Sequence, residues 1–255
     1  PDTIACVNST LTFTNTSYGG GLVDNANQCD STKIINWIIS PNTGFTVSPT
    51  NGLGNNPPIV NLPSTWGANT LNVQFTTAGS YSIKLIVRSK NTCGYDSIIK
   101  TVCIQSPPTP SFTATPLTGC SPLVVNFTNT STGLNQCGTI TRLWTVTKTS
   151  STCTADSTND YVYTSGTNSA SNNPIIRFNN EGVYSVTLKL STKCPQVTSP
   201  PVTIIVRRKP QLTMTVAPTV ICLGQTVTPT ANALPCDTPI TSYNWTFTGG
   251  TPPSS

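Results

Sequence analysis

The sequence contains no histidine, a single glutamate (Glu181) and a single methionine, and only 8% of its 255 residues are charged. In ordinary soluble domains about a quarter of all residues are charged. Histidine and paired carboxylates are the groups that most often move protons in enzymes, and the aspartates here form no evident pair. A cysteine nucleophile would have only lysine or aspartate as its base. We therefore predict a protein that is not an enzyme and needs no cofactor.

Long apolar runs and strong basic clusters are also missing. No stretch approaches the roughly 20 apolar residues that a membrane-spanning helix needs. The net charge is +5, and the largest basic cluster is Arg207-Arg208-Lys209. A domain that binds nucleic acid usually carries a larger basic patch. We expect neither nucleic-acid binding nor membrane insertion of this segment.

Cysteine, in contrast, is plentiful, with ten residues. Their spacings contain no CxxC pair, and mixed cysteine and histidine zinc sets cannot form without histidine. We therefore predict no metal site and assign the cysteines to disulfides. Disulfides persist in oxidising compartments, so the sequence predicts an extracellular location at the cell surface.

Two sequence motifs occur twice. Residues 79–85 (GSYSIKL) return as residues 182–188 (GVYSVTL), and residues 11–17 (LTFTNTS) return as residues 125–131 (VNFTNTS). The offsets, 182 − 79 = 103 and 125 − 11 = 114, indicate a repeat of domain size. Three sets of residues fall together when the repeats are superimposed: Cys6, Cys120 and Cys222; Cys29, Cys137 and Cys236; Trp37, Trp144 and Trp245.

The repeats predict three domains. Residues 1–105 form a first domain that lacks its first strand, residues 106–208 form a complete domain, and residues 209–255 form the N-terminal part of a third. Both ends of the chain cut through a repeat on this alignment, so we expect a piece of a longer polypeptide.

Apolar residues alternate with polar ones over several short runs, which is typical of strands with one buried face. One example is Tyr81, Ile83 and Leu85. Turn-forming residues separate the runs, and no window has a sustained helical period. About seven strands per repeat, a Trp in the third and a Tyr at the start of the sixth are typical of immunoglobulin-like sandwiches. The predicted fold is all-β, with tandem immunoglobulin-like antiparallel β-sandwiches stapled by disulfides.

The motif F-x-x-x-G-x-Y-x-[IV]-x-L, present at residues 75–85 and 178–188, follows [LV]-x-F-T-N-T-S and a Trp strand. This combination resembles the polycystic kidney disease (PKD) domain family. The family's W-D-F-G-D-G segment is replaced here by sequences such as Trp37-Ile-Ile-Ser and Trp144-Thr-Val-Thr. Because the acidic residues are missing, a calcium site is not carried over.

Tandem PKD-like repeats rich in Cys, Thr and Asn resemble the repeat regions of large Bacteroidetes surface adhesins, including gliding-motility adhesins exported by type IX secretion. The resemblance implies a non-enzymatic spacer segment of a long extracellular adhesin or filament. Its partners would be a surface polysaccharide or other extracellular ligand, and the secretion and anchoring machinery. The proline-bearing junctions 107–110 and 207–210 indicate semi-rigid connections. Two alternatives remain open: an accessory carbohydrate- or protein-binding module of a secreted hydrolase, and the ectodomain of a eukaryotic surface protein.

Strands of such a sandwich are lettered A to G. The AB and CD loops share one pole with the end of strand G, and the BC and FG loops share the other. This order predicts four bridges within the repeats, namely Cys29–Cys93, Cys137–Cys194, Cys6–Cys103 and Cys120–Cys153. Four cysteines allow three connectivities, so other pairings stay open. Cys222 and Cys236 have no predicted partner in the chain, and Cys236 would await an FG cysteine after Ser255.

Four sites fit D-[ST]-[AILMVT], which resembles the acceptor pattern for O-glycosylation of exported Bacteroidetes proteins, although chance matches are easy in a Ser/Thr-rich chain. They are Thr3, Ser31, Ser97 and Ser157.

The irregular segment 40–69 contains three large apolar residues, Phe45, Leu53 and Trp66. Exposed, they would form a recognition loop that stacks on sugar rings; buried, they would cap the sandwich. We favour the cap.

Overall fold

The computed structural model describes residues 3–17, 33–54, 67–89, 95–151, 159–234 and 240–248. These ranges contain eighteen β-strands and no regular helix, so the all-β prediction is confirmed for them. No helix long and apolar enough to cross a membrane occurs there.

The chain divides into two compact units. The first comprises Pro1–Pro110, Ser131–Thr141 and Lys189–Thr198, and the second comprises Ser111–Thr130, Arg142–Leu188 and Ser199–Ser255. These boundaries differ from those of the sequence repeats. Two segments that the repeats assign to the second domain, 131–141 and 189–198, are packed in the first unit.

The first unit contains a four-stranded sheet of order β1-β7-β6-β3 and a three-stranded sheet of order β2-β5-β4. Its strands are β1 (Thr3–Cys6), β2 (Thr10–Thr14), β3 (Lys33–Ser40), β4 (Phe45–Ser48), β5 (Thr70–Phe75), β6 (Gly79–Ser89) and β7 (Tyr95–Gln105).

The second sandwich has the same arrangement with two additional strands, β8 and β15. Its strands are β8 (Phe112–Thr115), β9 (Thr118–Cys120), β10 (Leu123–Asn129), β11 (Thr141–Ser150), β12 (Tyr161–Thr164), β13 (Ile175–Phe178), β14 (Gly182–Ser191), β15 (Val197–Thr198) and β16 (Val202–Arg207). One sheet has the order β12-β13-β10-β8 and the other β11-β14-β16-β9, with β15 paired to the end of β14. A separate two-stranded sheet, β17 (Gln211–Ala217) with β18 (Thr228–Leu234), follows.

Strand pairing relates the two sandwiches element by element. The described strands of the first sandwich include no counterpart of β8, which is the strand that the sequence predicts to be missing from residues 1–105. Pairing is antiparallel except at two equivalent places, where β1 runs parallel to β7 and β9 runs parallel to β16. The short strands β1 and β9 therefore occupy the same position beside the last strand of each sandwich.

The core of the first unit is built around the repeated aromatic residues. Trp37 is buried, and its indole Nε1 donates a hydrogen bond to the Ala68 carbonyl at 2.8 Å. The Tyr81 ring lies 4.6 Å from that of Phe75, between centroids, and joins the facing sheets. The Tyr81 hydroxyl donates to the carbonyl of Thr77, four residues earlier, at 3.0 Å.

The second sandwich reproduces these contacts. Trp144 Nε1 donates to the Ser171 carbonyl at 2.9 Å, and the Tyr184 ring lies 4.7 Å from that of Phe178. The Tyr184 hydroxyl donates to the Asn180 carbonyl, again four residues earlier, at 2.9 Å. Trp and Tyr thus lie in the core as predicted, and they make the same hydrogen bonds in both sandwiches.

The second sandwich also contains a buried ion pair. Lys148 Nζ lies 3.3 Å from Asp160 Oδ1, and the two side chains are 6% and 7% exposed. The same carboxylate oxygen accepts a hydrogen bond from Asn180 Nδ2 at 2.7 Å. A buried charge is tolerated only when it is paired and hydrogen-bonded, so the two residues depend on each other.

Replacement of Tyr184 by Phe removes the hydroxyl but keeps the ring. We expect a loss of about 1–2 kcal/mol in the free energy of unfolding, because the buried Asn180 carbonyl loses a donor. Urea denaturation followed by tryptophan fluorescence measures it. The matched control, Tyr243→Phe at a hydroxyl that is largely exposed, should change stability by less than about 0.5 kcal/mol. Equal effects of the two changes would contradict the assigned bond.

The ion pair makes a double-mutant prediction. Asp160→Leu removes the carboxylate that faces the buried Lys148 and should cost about 3–5 kcal/mol, whereas Lys148→Met combined with Asp160→Leu should recover most of that loss. Denaturant unfolding of the two single variants and the double variant gives the coupling energy. Additive losses would show that the pair is not coupled.

Candidate functional site: a doubly cross-linked junction

Two disulfides join the first sequence repeat to the second. Cys6 is bonded to Cys194 with the Cα atoms 4.9 Å apart, and Cys103 to Cys137 with the Cα atoms 5.6 Å apart. All four cysteines belong to the first compact unit, because segments 131–141 and 189–198 are packed there. We call residues 103–109, 131–138 and 191–194, together with Cys6, the junction cluster.

The parallel pairing of β1 with β7 places the first repeat's two cysteines side by side. Ile4 lies opposite Cys103, and Cys6 lies opposite Gln105, at the end of both strands. Cys103 has no exposed surface, and Cys194 is 5% exposed. The two bridges therefore start from the neighbouring strands β1 and β7, two register positions apart.

Gln105 connects the two bridges. Its side chain is 1% exposed; Nε2 donates to the Cys137 carbonyl at 2.9 Å, and Oε1 accepts from the Lys193 amide at 2.7 Å. The Gln105 carbonyl oxygen lies 3.1 Å from Cys194 Sγ. The buried side-chain amide of Gln105 thus contacts the backbone at Cys137 and next to Cys194, the two bridging cysteines of the second repeat.

Gly138 allows this close approach. It has φ +82°, and a Cβ at this position would lie 2.7 Å from Gln105 Nε2 and 3.4 Å from Cys103 Sγ. A side chain here would be strained by the backbone angle and by the contact with Gln105.

The polar contacts continue along the proline-bearing connection. Gln136 accepts from the Ser106 amide through Oε1 at 2.7 Å and donates to the Ser106 carbonyl through Nε2 at 3.0 Å. Thr109 and Thr132 exchange two backbone hydrogen bonds of 3.1 and 3.0 Å. Residues 105–109 are therefore held along their length by residues 132–137.

The observed bridges correct two predicted pairings. Cys6–Cys103 and Cys137–Cys194 were expected within single repeats, but these four cysteines exchange partners across the repeats. The prediction treated each repeat as self-contained. The end of β7 is instead covered by the BC and FG segments of the following repeat, which brings Cys137 and Cys194 to it.

The other cysteines divide into two groups. Cys120 is an exposed free thiol, so the expected bridge to Cys153 is not formed, and Cys222 is also exposed and free. In the register beside β9, Ile205 occupies the place that Cys103 takes beside β1, so the second repeat has no cysteine equivalent to Cys103. Cys29, Cys93, Cys153 and Cys236 lie outside the described residues.

The predicted recognition segment is partly packed. Phe45 contacts the rings of Phe75 and Tyr81 at centroid distances of 6.1 and 6.4 Å, and Leu53 packs against the same core. Their positions fit a cap on the sandwich, whereas Trp66 lies outside the described residues.

Two of the predicted glycosylation residues can be placed. Thr3 on β1 and Ser97 on β7 are exposed, so both are accessible to modification. Ser31 and Ser157 lie outside the described residues. Glycosylation stays a prediction.

In the part of the chain that the structure describes, no three Cys, Asp or Glu side chains group as a metal site would require. Burial, and then the neighbouring Tyr161, raise the pKa of Tyr163 to about 12. Tyr163 belongs to the second sandwich, and its hydroxyl donates to the Trp144 carbonyl at 3.3 Å. The junction chemistry is therefore that of disulfides and neutral amides.

Sequence reasoning missed Gln105 and Gln136. A glutamine in a strand of mixed polarity has no motif of its own, and both gain their role only from contacts with distant residues. The one available signal was the position of Gln105, two residues after Cys103 at the end of an apolar strand.

No family model matches the sequence, and no curated protein sequence matches it either. Similar solved structures include a mutated variant of titin domains I67–I69, at 12% identity and TM-score 0.47, with 92% of this chain and 73% of that one covered. The Escherichia coli adhesin FdeC matches at 11% identity and TM-score 0.44, over 81% of this chain and 62% of FdeC. The D00–D0 domains of intimin match at 12% identity and TM-score 0.38, with 80% of this chain and 96% of that one covered. The immunoglobulin-like assignment rests on the strand order and on the Trp and Tyr contacts described above.

Proposed function

We propose that this chain is a spacer segment of an extracellular array of PKD-like sandwiches, in which the junction cluster keeps the repeats joined under tension. The observation that carries the proposal is the Cys6–Cys194 bond, which spans 188 residues. It connects a position near the beginning of the first repeat to a position near the end of the second.

The bond shortens the covalent path along the chain. A force applied at the two ends runs through residues 1–6, crosses the bridge, and continues through residues 194–255. Residues 7–193 lie inside the closed loop and cannot be extended while the bridge is intact, whereas β16 with its buried Ile204 and Val206 lies in the loaded path. Only 255 − 187 = 68 residues, 1–6 and 194–255, remain in this path.

The second bridge and the two glutamines act inside that loop. Cys103–Cys137 closes 34 residues around the connection between the repeats. The chain-entropy model assigns about 4 kcal/mol to a loop of this length. Gln105 and Gln136 add hydrogen bonds to the same connection. These bonds restrict the movement of the connection, which has few apolar residues to pack.

The chemistry of the cluster also indicates the compartment. Two disulfides in a chain of this size favour an oxidising environment outside the cytoplasm. We place the segment in a large bacterial surface adhesin of the gliding-motility type, exported by type IX secretion. Its repeats would contribute many weak contacts to a surface polysaccharide, so that attachment depends on copy number. O-glycosylation at exposed residues such as Ser97 fits this placement.

Single-molecule stretching of the oxidised chain tests the tension path. With handles at both ends, the maximum extension should be about 240 Å, because only 68 residues can extend at about 3.6 Å each. After reduction of the disulfides the whole chain should extend to about 920 Å. Cys103→Ser with Cys137→Ser is the matched control, and it should leave the oxidised limit unchanged.

Bridges within each repeat would give a different value. Cys6–Cys103 and Cys137–Cys194 would leave 255 − 96 − 56 = 103 residues, an extension of about 370 Å. An oxidised limit near this length would contradict the proposed path.

Gln105→Leu tests the polar part of the cluster. The substitution removes the contacts to the Cys137 carbonyl and the Lys193 amide and should destabilise the first unit by about 2 kcal/mol. Reduction of the two bridges by dilute thiol should become about tenfold faster, since local opening costs less. Gln74→Leu, at an exposed glutamine with one bond to the Asn8 carbonyl, is the control and should change neither quantity measurably. Unchanged reduction rates in Gln105→Leu would show that the amide does not support the bridges.

A further inference from the structure

The sheet of β17 and β18 presents an uncovered apolar face. Leu212 and Met214 are 65% and 61% exposed, although they alternate along β17 as core residues do. Ala233 and Ala231 lie opposite them in register. These four residues line an open apolar pocket of about 390 Å³, together with Trp245. A face of this kind is expected to be covered by a partner.

The register of this sheet identifies which part of a sandwich it is. The pair Met214–Ala231 corresponds to the pair Phe112–Asn129 of the second repeat. Met214 lies 102 positions after Phe112 in the sequence, and Ala231 lies 102 positions after Asn129. The same displacement holds for all four residue pairs of β8 with β10. The sheet of β17 and β18 is therefore the A–B pair of a third sandwich.

The second repeat shows what covers such a pair. Phe112 on β8 is 8% exposed, and its ring lies 4.8 Å from that of Trp144 on β11, in the opposite sheet. That sheet also contains β14, where Tyr184, Val186 and Leu188 are fully buried. The pair of β8 and β10 is thus covered by the sheet that contains β11 and β14, and β14 is an amphipathic strand with the pattern Gly-x-Tyr-x-Val-x-Leu.

Cys120 supplies a second, independent observation. It lies on β9 opposite Arg207 of β16, the position that Cys6 occupies on β1 opposite Gln105 of β7. Cys6 is bonded to Cys194, which follows Tyr184 by ten residues in the loop after β14. Cys120 is an exposed free thiol. The equivalent partner of Cys120 is thus a cysteine in the loop after a strand like β14.

We propose that the face of β17 and β18, together with Cys120, forms an acceptor for one β-hairpin of this type. The hairpin carries Gly-x-Tyr-x-[Ile/Val]-x-Leu on its first strand and a cysteine about ten residues after the tyrosine. The strand covers Leu212 and Met214, and its cysteine bonds to Cys120. This assignment rests on the proposed repeat-to-repeat linkage, because it extends the Cys6–Cys194 bond to the next repeat.

The covalent step is a thiol–disulfide exchange. The Cys120 thiolate attacks the hairpin cysteine sulfur when that sulfur is held in a mixed disulfide with a small thiol. The Cys120–hairpin S–S bond forms, the original S–S bond breaks, and the small thiol leaves with the electron pair and takes up a proton. The mixed disulfide is therefore the oxidant of the reaction.

A synthetic peptide tests the acceptor on the whole 255-residue chain. The probe is residues 178–198 of this sequence, with Cys194 as a mixed disulfide with glutathione. Cys222 is an internal control, because it is also an exposed free thiol. Mass-spectrometric mapping should show Cys120 reacting at least about tenfold faster than Cys222, with a blue shift of Trp245 fluorescence as the pocket is covered.

Two matched changes separate docking from simple thiol reactivity. A peptide with Tyr184→Ser, Val186→Ser and Leu188→Ser keeps the cysteine but loses the apolar face, and it should label the two cysteines at similar rates. Leu212→Asp with Met214→Asp in the chain should abolish the preference for the native peptide. These residues are exposed, so the variant should fold.

Equal labelling of Cys120 by the native and serine-substituted peptides would overturn the proposal, as would a preference for Cys222. Formation of disulfide-linked dimers through Cys120 without peptide would overturn it too, because it would assign the acceptor to a second copy. The proposed spacer function is judged separately: the stretching limit of about 240 Å depends on Cys6–Cys194 and is unaffected by these outcomes.

Discussion

The closure of 188 residues by the Cys6–Cys194 bond is the constraint on which the other features of the junction depend. The chain-entropy model assigns a loop of this length about 5 kcal/mol, which is comparable to the whole stability of a small domain. The bond holds the loop after β14 against β1, so that Lys193 meets Gln105. Without it, the contact between Gln105 and the Lys193 amide would be held by a hydrogen bond worth about 1 kcal/mol, with no covalent bond beside it.

The cores of the two sandwiches are packed in the same way. Each uses a Trp that donates to a loop carbonyl and a Tyr that donates to the carbonyl four residues before it, with the Tyr ring against a Phe of the facing sheet. These bonds need only local geometry and a complementary apolar face. The same solution therefore recurs although most surface residues differ. The junction chemistry, in contrast, is not repeated, since Ile205 stands where Cys103 stands in the first sandwich.

This contrast explains what could be predicted from the sequence. Strands appear in the alternation of residues such as Tyr184, Val186 and Leu188, because alternation depends only on neighbours along the chain. The core roles of Trp37 and Trp144 followed from their recurrence at one strand position.

Cysteine pairing could not be predicted in the same way. The strand order placed each cysteine at a pole of its repeat, but two repeats in succession bring the end of one and the loops of the next into one compact unit. Whether Cys6 meets Cys103 or Cys194 depends on that packing, and Gln105 and Gln136 acquire their contacts from it. Sequence periodicity contains no information on contacts made between repeats, so the candidate site could be recognised only from the structure.

Disulfide mapping of the oxidised protein is the most direct test of this account. Proteolysis without reduction, followed by mass spectrometry, should yield one cross-linked pair that contains Cys6 with Cys194 and one that contains Cys103 with Cys137. Recovery of Cys6 linked to Cys103, and of Cys137 linked to Cys194, would contradict it.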